Sequence, residues 1–288
     1  MEKYTINDVL VGIVTYNPNI ERLKQCLNAV IGQITNLVIF DNGSTNIADV
    51  RTTIKAVSES AIILESNDNK GIATALSEIM LFAKKQNYRW VLTLDQDSVL
   101  QENIVDCYIN TANNPKYLDA GMFTCLIKDR NFIDTKYEVQ SQPVIEVEYC
   151  ITSAAFTNTK KYFQTDGYDK QFFIDCVDFD ICYSLNEHGF KIYRVNKVGI
   201  LHEVGHGEQC RFLRKKIIVY HEKPLRLYYL TRNTIWLYKK HSSYRFIRLI
   251  KKELAILMRI LLYEDNRRNK LKAFIRGVQD SRRYISER

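Results

Sequence analysis

Four short apolar runs, each closed by a polar cluster, fall within the first hundred residues. They constrain the fold of this chain more than any other feature. The run Val9-Leu10-Val11-Gly12-Ile13-Val14-Thr15-Tyr16 is rich in β-branched residues and does not alternate with polar ones. That pattern reads as a strand buried on both faces. Leu37–Phe40, Ala61–Leu64 and Trp90–Leu94 repeat it. Between them, Leu23, Cys26, Leu27 and Val30 recur at helical spacing, and Ile72–Lys85 reads as a second helix. A β-α-β-α-β rhythm predicts a mostly parallel sheet with helices on both faces. Right-handed crossovers then bring the polar strand ends to one edge, where open α/β sheets bind ligands.

Beyond residue 100 the signals are shorter. Glu146–Tyr149 alternates, 172–189 reads as a loop entering a helix, and Val195–Ile200 reads as a strand. From about 212 the character changes. Leu225–Lys240 is a helix rich in aromatics and cations. Tyr244–Tyr263 is another, with Arg245, Arg248, Lys252 and Arg259 on one stripe and apolar residues away from it, a basic amphipathic pattern. Membrane-surface binding and docking on the protein's own core or a second copy fit that pattern equally.

Charge is divided the same way. Residues 201–288 hold 22 Lys/Arg against 8 Asp/Glu, and residues 1–200 hold 19 against 25. A basic tail on an acidic body points to a phosphate-bearing partner, either nucleic acid or an anionic membrane. No nucleic-acid fold signature accompanies the tail, and the acidic body disfavours that partner. The seven cysteines are scattered and odd in number, with no Cys-x-x-Cys, which reads as free thiols in a reducing compartment. The first residues lack the apolar core of a signal peptide. No apolar run approaches the roughly 18 residues of a membrane span. A cytoplasmic protein is expected, peripheral on the inner face of the membrane.

Asp95-Gln96-Asp97 directly follows the fourth apolar run. Two carboxylates two residues apart at a ligand-binding edge repel each other unless a cation sits between them. Oxygen donors favour a hard ion, Mg²⁺ or Mn²⁺. Asp-x-Asp alone is a weak motif, but three other polar clusters end at the same edge. These are Thr15-Tyr16-Asn17, Asp41-Asn42-Gly43-Ser44 and Asn67-Asp68-Asn69-Lys70-Gly71. A nucleotidyltransferase would need a Gly-rich basic loop after the first strand to grip a triphosphate, and this chain has Asn17-Pro18-Asn19 there.

Together with Phe173-Ile174-Asp175-Cys176-Val177-Asp178, His202-Glu203-Val204-Gly205 and Tyr229-x-x-Arg232-Asn233, these clusters resemble the family-2 glycosyltransferases of GT-A fold, most of all their rhamnosyltransferase-like branch. The resemblance spans roughly residues 9–240. It implies an α/β fold with a GT-A, Rossmann-like, mostly parallel sheet, flanking helices and added basic amphipathic helices at the C-terminus. The catalytic domain would occupy 1–210, with a nucleotide-binding half over about 1–100 and an acceptor half over about 101–210. A helical, basic, membrane-associating region would occupy 211–288.

The resemblance also assigns roles. Thr15 and Asn17 line the nucleotide pocket, and Asp41 accepts from the base. Asn69 and Gly71 lie near ribose and sugar, with Lys70 near phosphate. Asp95 contacts ribose or metal, and Asp97 ligates the metal. Asp178 matches the catalytic base. His202 completes the metal or diphosphate site, with His206 a second candidate, and Arg232 steadies the departing diphosphate. Asp175 and Asp180 crowd beside Asp178 and leave the choice of base open among the three. Tyr228, Tyr229 and Trp236 could stack on sugar faces or pack in the core. The implied activity is inverting hexosyl transfer from a nucleotide-sugar donor, dTDP-rhamnose first and UDP-linked galactose or glucose as alternatives. The acceptor would be a lipid-linked or growing cell-surface glycan, as in capsule or O-antigen synthesis. A homo-oligomer is compatible with this, and the contrasting class is a non-catalytic assembly partner bound to an anionic membrane.

Overall fold

A computed structural model of the chain describes residues 3–130, 142–202, 208–212 and 215–284. The four apolar runs form β1 (Val9–Thr15), β2 (Leu37–Asp41), β3 (Ile62–Glu65) and β4 (Trp90–Asp95). They pair in parallel in the order β3-β2-β1-β4. The linking helices are α1 (Ile20–Ile31), α2 (Ile47–Val57) and α3 (Ile72–Lys85). Asn19 caps α1, its side chain accepting from the Arg22 amide. Side chains of β1 alternate between two cores. Val9, Val11 and Ile13 pack with Leu23 and Leu27 of α1 and Ile54 of α2. Leu10 and Val14 pack with Leu76 and Ile79 of α3. Burial on both faces explains the unbroken apolar sequence. At Gly12, α3 comes so close that an added Cβ would stand 2.4 Å from Ile79 Cγ2.

The second half of the sheet is mixed. After β4 come β5 (Val99–Leu100), α4 (Ile104–Ala112), β6 (Ala120–Asp129), β7 (Val144–Val147), β8 (Ala155–Asn158), the one-turn α5 (Thr159–Tyr162), α6 (Val177–Glu187) and β9 (Lys191–His202). The order continues β4-β8-β6-β9-β5, with β7 also on β9. Only β6 and β9 run parallel in this half, and the β4–β8, β6–β8, β5–β9 and β7–β9 pairs are antiparallel. The first four strands are therefore parallel as expected, and the rest of the sheet is not.

The expected boundary at 210/211 falls inside a hairpin, β10 (Glu208–Phe212) with β11 (Lys215–Val219). Three helices follow: α7 (Pro224–Lys240), α8 (Phe246–Leu262) and α9 (Arg267–Asp280). Trp236 and Leu237 of α7 are buried in the second core, so α7 belongs to the body. No described helix is long and apolar enough to cross a membrane. The six described cysteine side chains are free thiols.

Candidate active site

The C-terminal edges of β1, β2 and β4 meet the loop before α6 around a cavity of about 660 Å³. Asp95, at the end of β4, is turned into it together with Gln96 and Asp97. Burial raises the Asp95 pKa, opposed by His202 and reinforced by Asp97. His202 ends β9 and reaches both acids: Nε2 lies 3.8 Å from Asp95 Oδ2, and Nδ1 lies 3.7 Å from Asp97 Oδ1. A relay holds the imidazole, with Nδ1 2.8 Å from Ser98 Oγ and Ser98 2.8 Å from Ser153 Oγ. In the tautomer that donates from Nδ1 to Ser98, the Nε2 lone pair is the one a metal ion would take. Two carboxylates and an imidazole are the right donors for a hard or borderline divalent ion. The two acids approach different ring nitrogens, so a shared ion needs the set to tighten around Nε2.

Among the described residues, one tighter triad of donors exists, His221, Glu264 and Asp265. The Lys270 ammonium already sits there, 2.6 Å from Glu264 and 2.5 Å from Asp265. A larger cavity, about 830 Å³ between Lys84, Trp90 and Phe163, is lined by no carboxylate.

Asp178, in the first turn of α6, lines the same cavity. Its Oδ1 accepts from the Phe179 amide, and burial pushes its pKa up to about 6. The two neighbouring acids have other duties. Asp180 is fully buried and takes hydrogen bonds from Lys240 and His241, so it does not reach the cavity. Asp175 lines the cavity but pairs with Arg226, Nε to Oδ1 at 3.2 Å. The backbone here is strained: Phe173, Asp175 and Cys176 all have φ near +60°. Asn233 holds that backbone, its Nδ2 donating to the carbonyls of Phe172, Ile174 and Asp175. Gly71 makes room for it, since a Cβ there would stand 2.5 Å from Phe173 O.

The remaining expected residues divide. Asn69 and Gly71 line the cavity. Thr15, Asn17 and Asp41 lie beside it and brace the wall. Asp41 is 1% exposed and accepts from Thr15 Oγ1, Ser44 N and Ser44 Oγ. Asn17 accepts from Thr45 N. Arg232 is not at the cavity either. Its guanidinium stacks 3.9 Å from the Trp236 ring centre and donates to the carbonyls of Gln171 and Phe172. Among the described residues, the Lys or Arg that lines the cavity is Arg226, six residues earlier on α7, flanked by Asp175 and Glu222. Burial disfavours its charge, but those two acids hold its pKa above the usual value. Sequence reading missed Arg226 because its partner Asp175 is 51 positions away. Glu203, Val204, Gly205 and His206 lie outside the described residues.

Residues 10–174, more than half of the chain, match the family described as glycosyl transferase family 2. The chain belongs to glycosyl transferase family 2. A relative from Shigella flexneri, the dTDP-rhamnosyl transferase RfbF, is 23% identical over 248 residues, covering 82% of this chain and 81% of that one. Among solved structures, S. aureus TarS 1–349 superposes with a TM-score of 0.59 at 12% identity, covering 94% of this chain and 81% of its own. The mannosyltransferase PcManGT from Pyrobaculum calidifontis, solved with GDP-Man and Mn²⁺, also gives 0.59, at 15% identity over 97% of this chain and 76% of its own. These likenesses bear out the α/β fold with flanking helices and the glycosyltransferase class.

Proposed function

We propose that this glycosyltransferase inverts the anomeric centre of a sugar carried on a nucleotide diphosphate, with dTDP-rhamnose as the first donor to test. The acceptor is a hydroxyl of a lipid-linked or growing cell-surface glycan at the inner face of the membrane. One observation carries the reading: a single cavity is lined by Asp95, Asp97 and His202 and also by Asp178, a half-buried carboxylate free of the ion pair that holds Asp175, with its pKa pushed up to about 6. A divalent ion bound by Asp95, Asp97 and His202 would act as a Lewis acid toward the diphosphate leaving group. Asn69 and Gly71 face the donor, and Arg226 adds a positive charge at the same wall. Asp178 takes the proton from the acceptor hydroxyl as that oxygen attacks the anomeric carbon and the sugar–phosphate bond breaks. Thr15, Asn17 and Asp41 brace the base pocket through the hydrogen bonds described above. The dTDP choice leans on RfbF, and UDP-galactose or UDP-glucose is the alternative donor.

Calorimetric titration with dTDP, UDP and GDP, each with Mn²⁺ and with EDTA, tests this on the wild type and on Asp97→Ala. The expected result is metal-dependent binding of dTDP, weakened at least about tenfold in the variant. Binding of no nucleotide under any condition would sink the proposal and favour a non-catalytic assembly partner.

A further inference from the structure

Helix α8 is turned the opposite way from an ordinary amphipathic helix on a globular body. Its apolar positions face out. Phe246, Ile247, Ile250, Leu254, Met258 and Leu261 are all exposed, Phe246 by 58% and Leu254 by 55%. At 100° per residue they share one broad face. Leu249, Ile256 and Ile260 form the narrower docked face. The cations between the two faces divide. Arg248 pairs with Glu148, and Lys252 turns inward over the Phe179 ring, 3.8 Å from Cys176 Sγ. Arg245, Lys251 and Arg259 are exposed. Among the described residues, the Tyr238 ring meets one end of this face, 5.5 Å from the Phe246 ring centre, and Ile250, Leu254, Met258 and Leu261 stay exposed.

Such a face needs an occupant, and charge selects one. A second copy docked on this face would bring two net-positive segments together. Residues 241–288 hold 13 Lys/Arg and 5 Asp/Glu, which fits a negatively charged surface. A helix of 17 residues that carries several cations lies in an interface and does not cross it. We infer that α8 is the membrane-seating helix of this enzyme, laying its Phe246–Leu261 face into an anionic bilayer, with Lys251, which borders that face, at the headgroups.

The inward face of the same helix touches the catalytic wall, because Lys252 lies beside Cys176 and Phe179, either side of Asp178. Seating α8 therefore holds Asp178 about one helix diameter, roughly 10 Å, from the bilayer surface. That stand-off suits an acceptor hydroxyl on a sugar carried above the membrane by a lipid. The inference rests on the lipid-linked acceptor proposed above, but its test is separable from donor binding.

Purified full-length protein is sedimented with vesicles of phosphatidylcholine alone and of phosphatidylcholine mixed with phosphatidylglycerol. The comparison uses the wild type and the triple variant Ile250→Glu/Leu254→Glu/Met258→Glu, with thermal melting and dTDP calorimetry on both. All three positions are exposed, so the variant keeps its melting temperature and its nucleotide binding. The wild type is expected to pellet with the mixed vesicles, and the variant to lose that binding at least about tenfold. The inference is overturned if the wild type stays in the supernatant, or if the variant pellets equally well. It is also overturned if the wild type elutes as a dimer that the substitutions split while vesicle binding is absent. Failure of dTDP to bind either protein would count against the donor reading alone.

Discussion

Asp178 keeps its proton up to about pH 6 because it is half-buried at the start of α6. As the base it must be ionised, so kcat/KM should fall roughly tenfold per pH unit below about 6 and level off above it. The stability consequence has the opposite sign from that of a salt-bridged carboxylate. Folding raises this pKa from 3.8, so the folded state prefers the neutral acid, and stability is lost as pH rises from 3.8 to about 6. Asp178→Asn should therefore stabilise the protein by as much as about 3 kcal/mol near neutral pH. The same change should cut transfer about 10²- to 10⁴-fold while leaving nucleotide affinity intact. Melting curves and initial rates on one preparation check both. A variant that melts lower at neutral pH would show that burial does not penalise this charge. At this scale the sequence carried residue types but not distances. Asp95, Asp97 and Asp178 stand out because each sits beside a readable strand end or motif. Arg226 and Arg232 look alike in a basic helix, and only the fold shows that one lines the cavity and the other is stacked on Trp236.

The segment from Phe173 to Cys176 is an element without regular structure, and three residues with positive φ make it costly to hold. Its shape depends on partners far away in sequence: Asn233 on α7, which donates to three carbonyls, and the Ile72 amide, 2.7 Å from Phe173 O. Asn233→Asp is nearly isosteric but replaces the donor with an oxygen facing those carbonyls. It should cost about 1–3 kcal/mol or more and disorder the wall that carries Asp178. Gly71→Ala should do the same from the other side, through the Cβ clash and a φ of +84°. Both variants should melt lower and lose turnover together, and a variant with normal melting but lost turnover would point to direct contact with substrate instead. The long runs of β1, β2 and β4 were legible because burial on both faces writes itself as continuous apolar sequence. The strand β8 was not, having four residues that include Thr157 and Asn158. Helix α8 was legible as amphipathic, but periodicity does not say which face meets the body. Arg248 and Lys252 point toward it, against the usual rule.

The whole molecule joins a doubly layered core to a lightly held helical cap. Between them lies one buried charged network. Lys240, at the end of α7, is 2.8 Å from Asp180 Oδ1 and 3.3 Å from Asp169, and His241 bridges Asp180 and Glu187. Removing Lys240 leaves buried Asp180 with His241 and the Asp169 amide as its partners, so Lys240→Met should destabilise by about 1–3 kcal/mol, measurable by urea unfolding. Outside that clamp, cohesion thins. The third apolar cluster has only Leu227, Ile256 and Ile260 fully buried, whereas the clusters on either side of the sheet each take in several helices. Opening free energies follow buried apolar contacts, so α8 and α9 should open without the sheet. Amide exchange should show this as an order: α8 amides exchanging first, α7 beyond Asn233 later, and β1 and β4 only with global unfolding. If α8 exchanged as slowly as β1, the cap and core would be one cooperative unit, and the outward apolar face of α8 would have to be covered in solution.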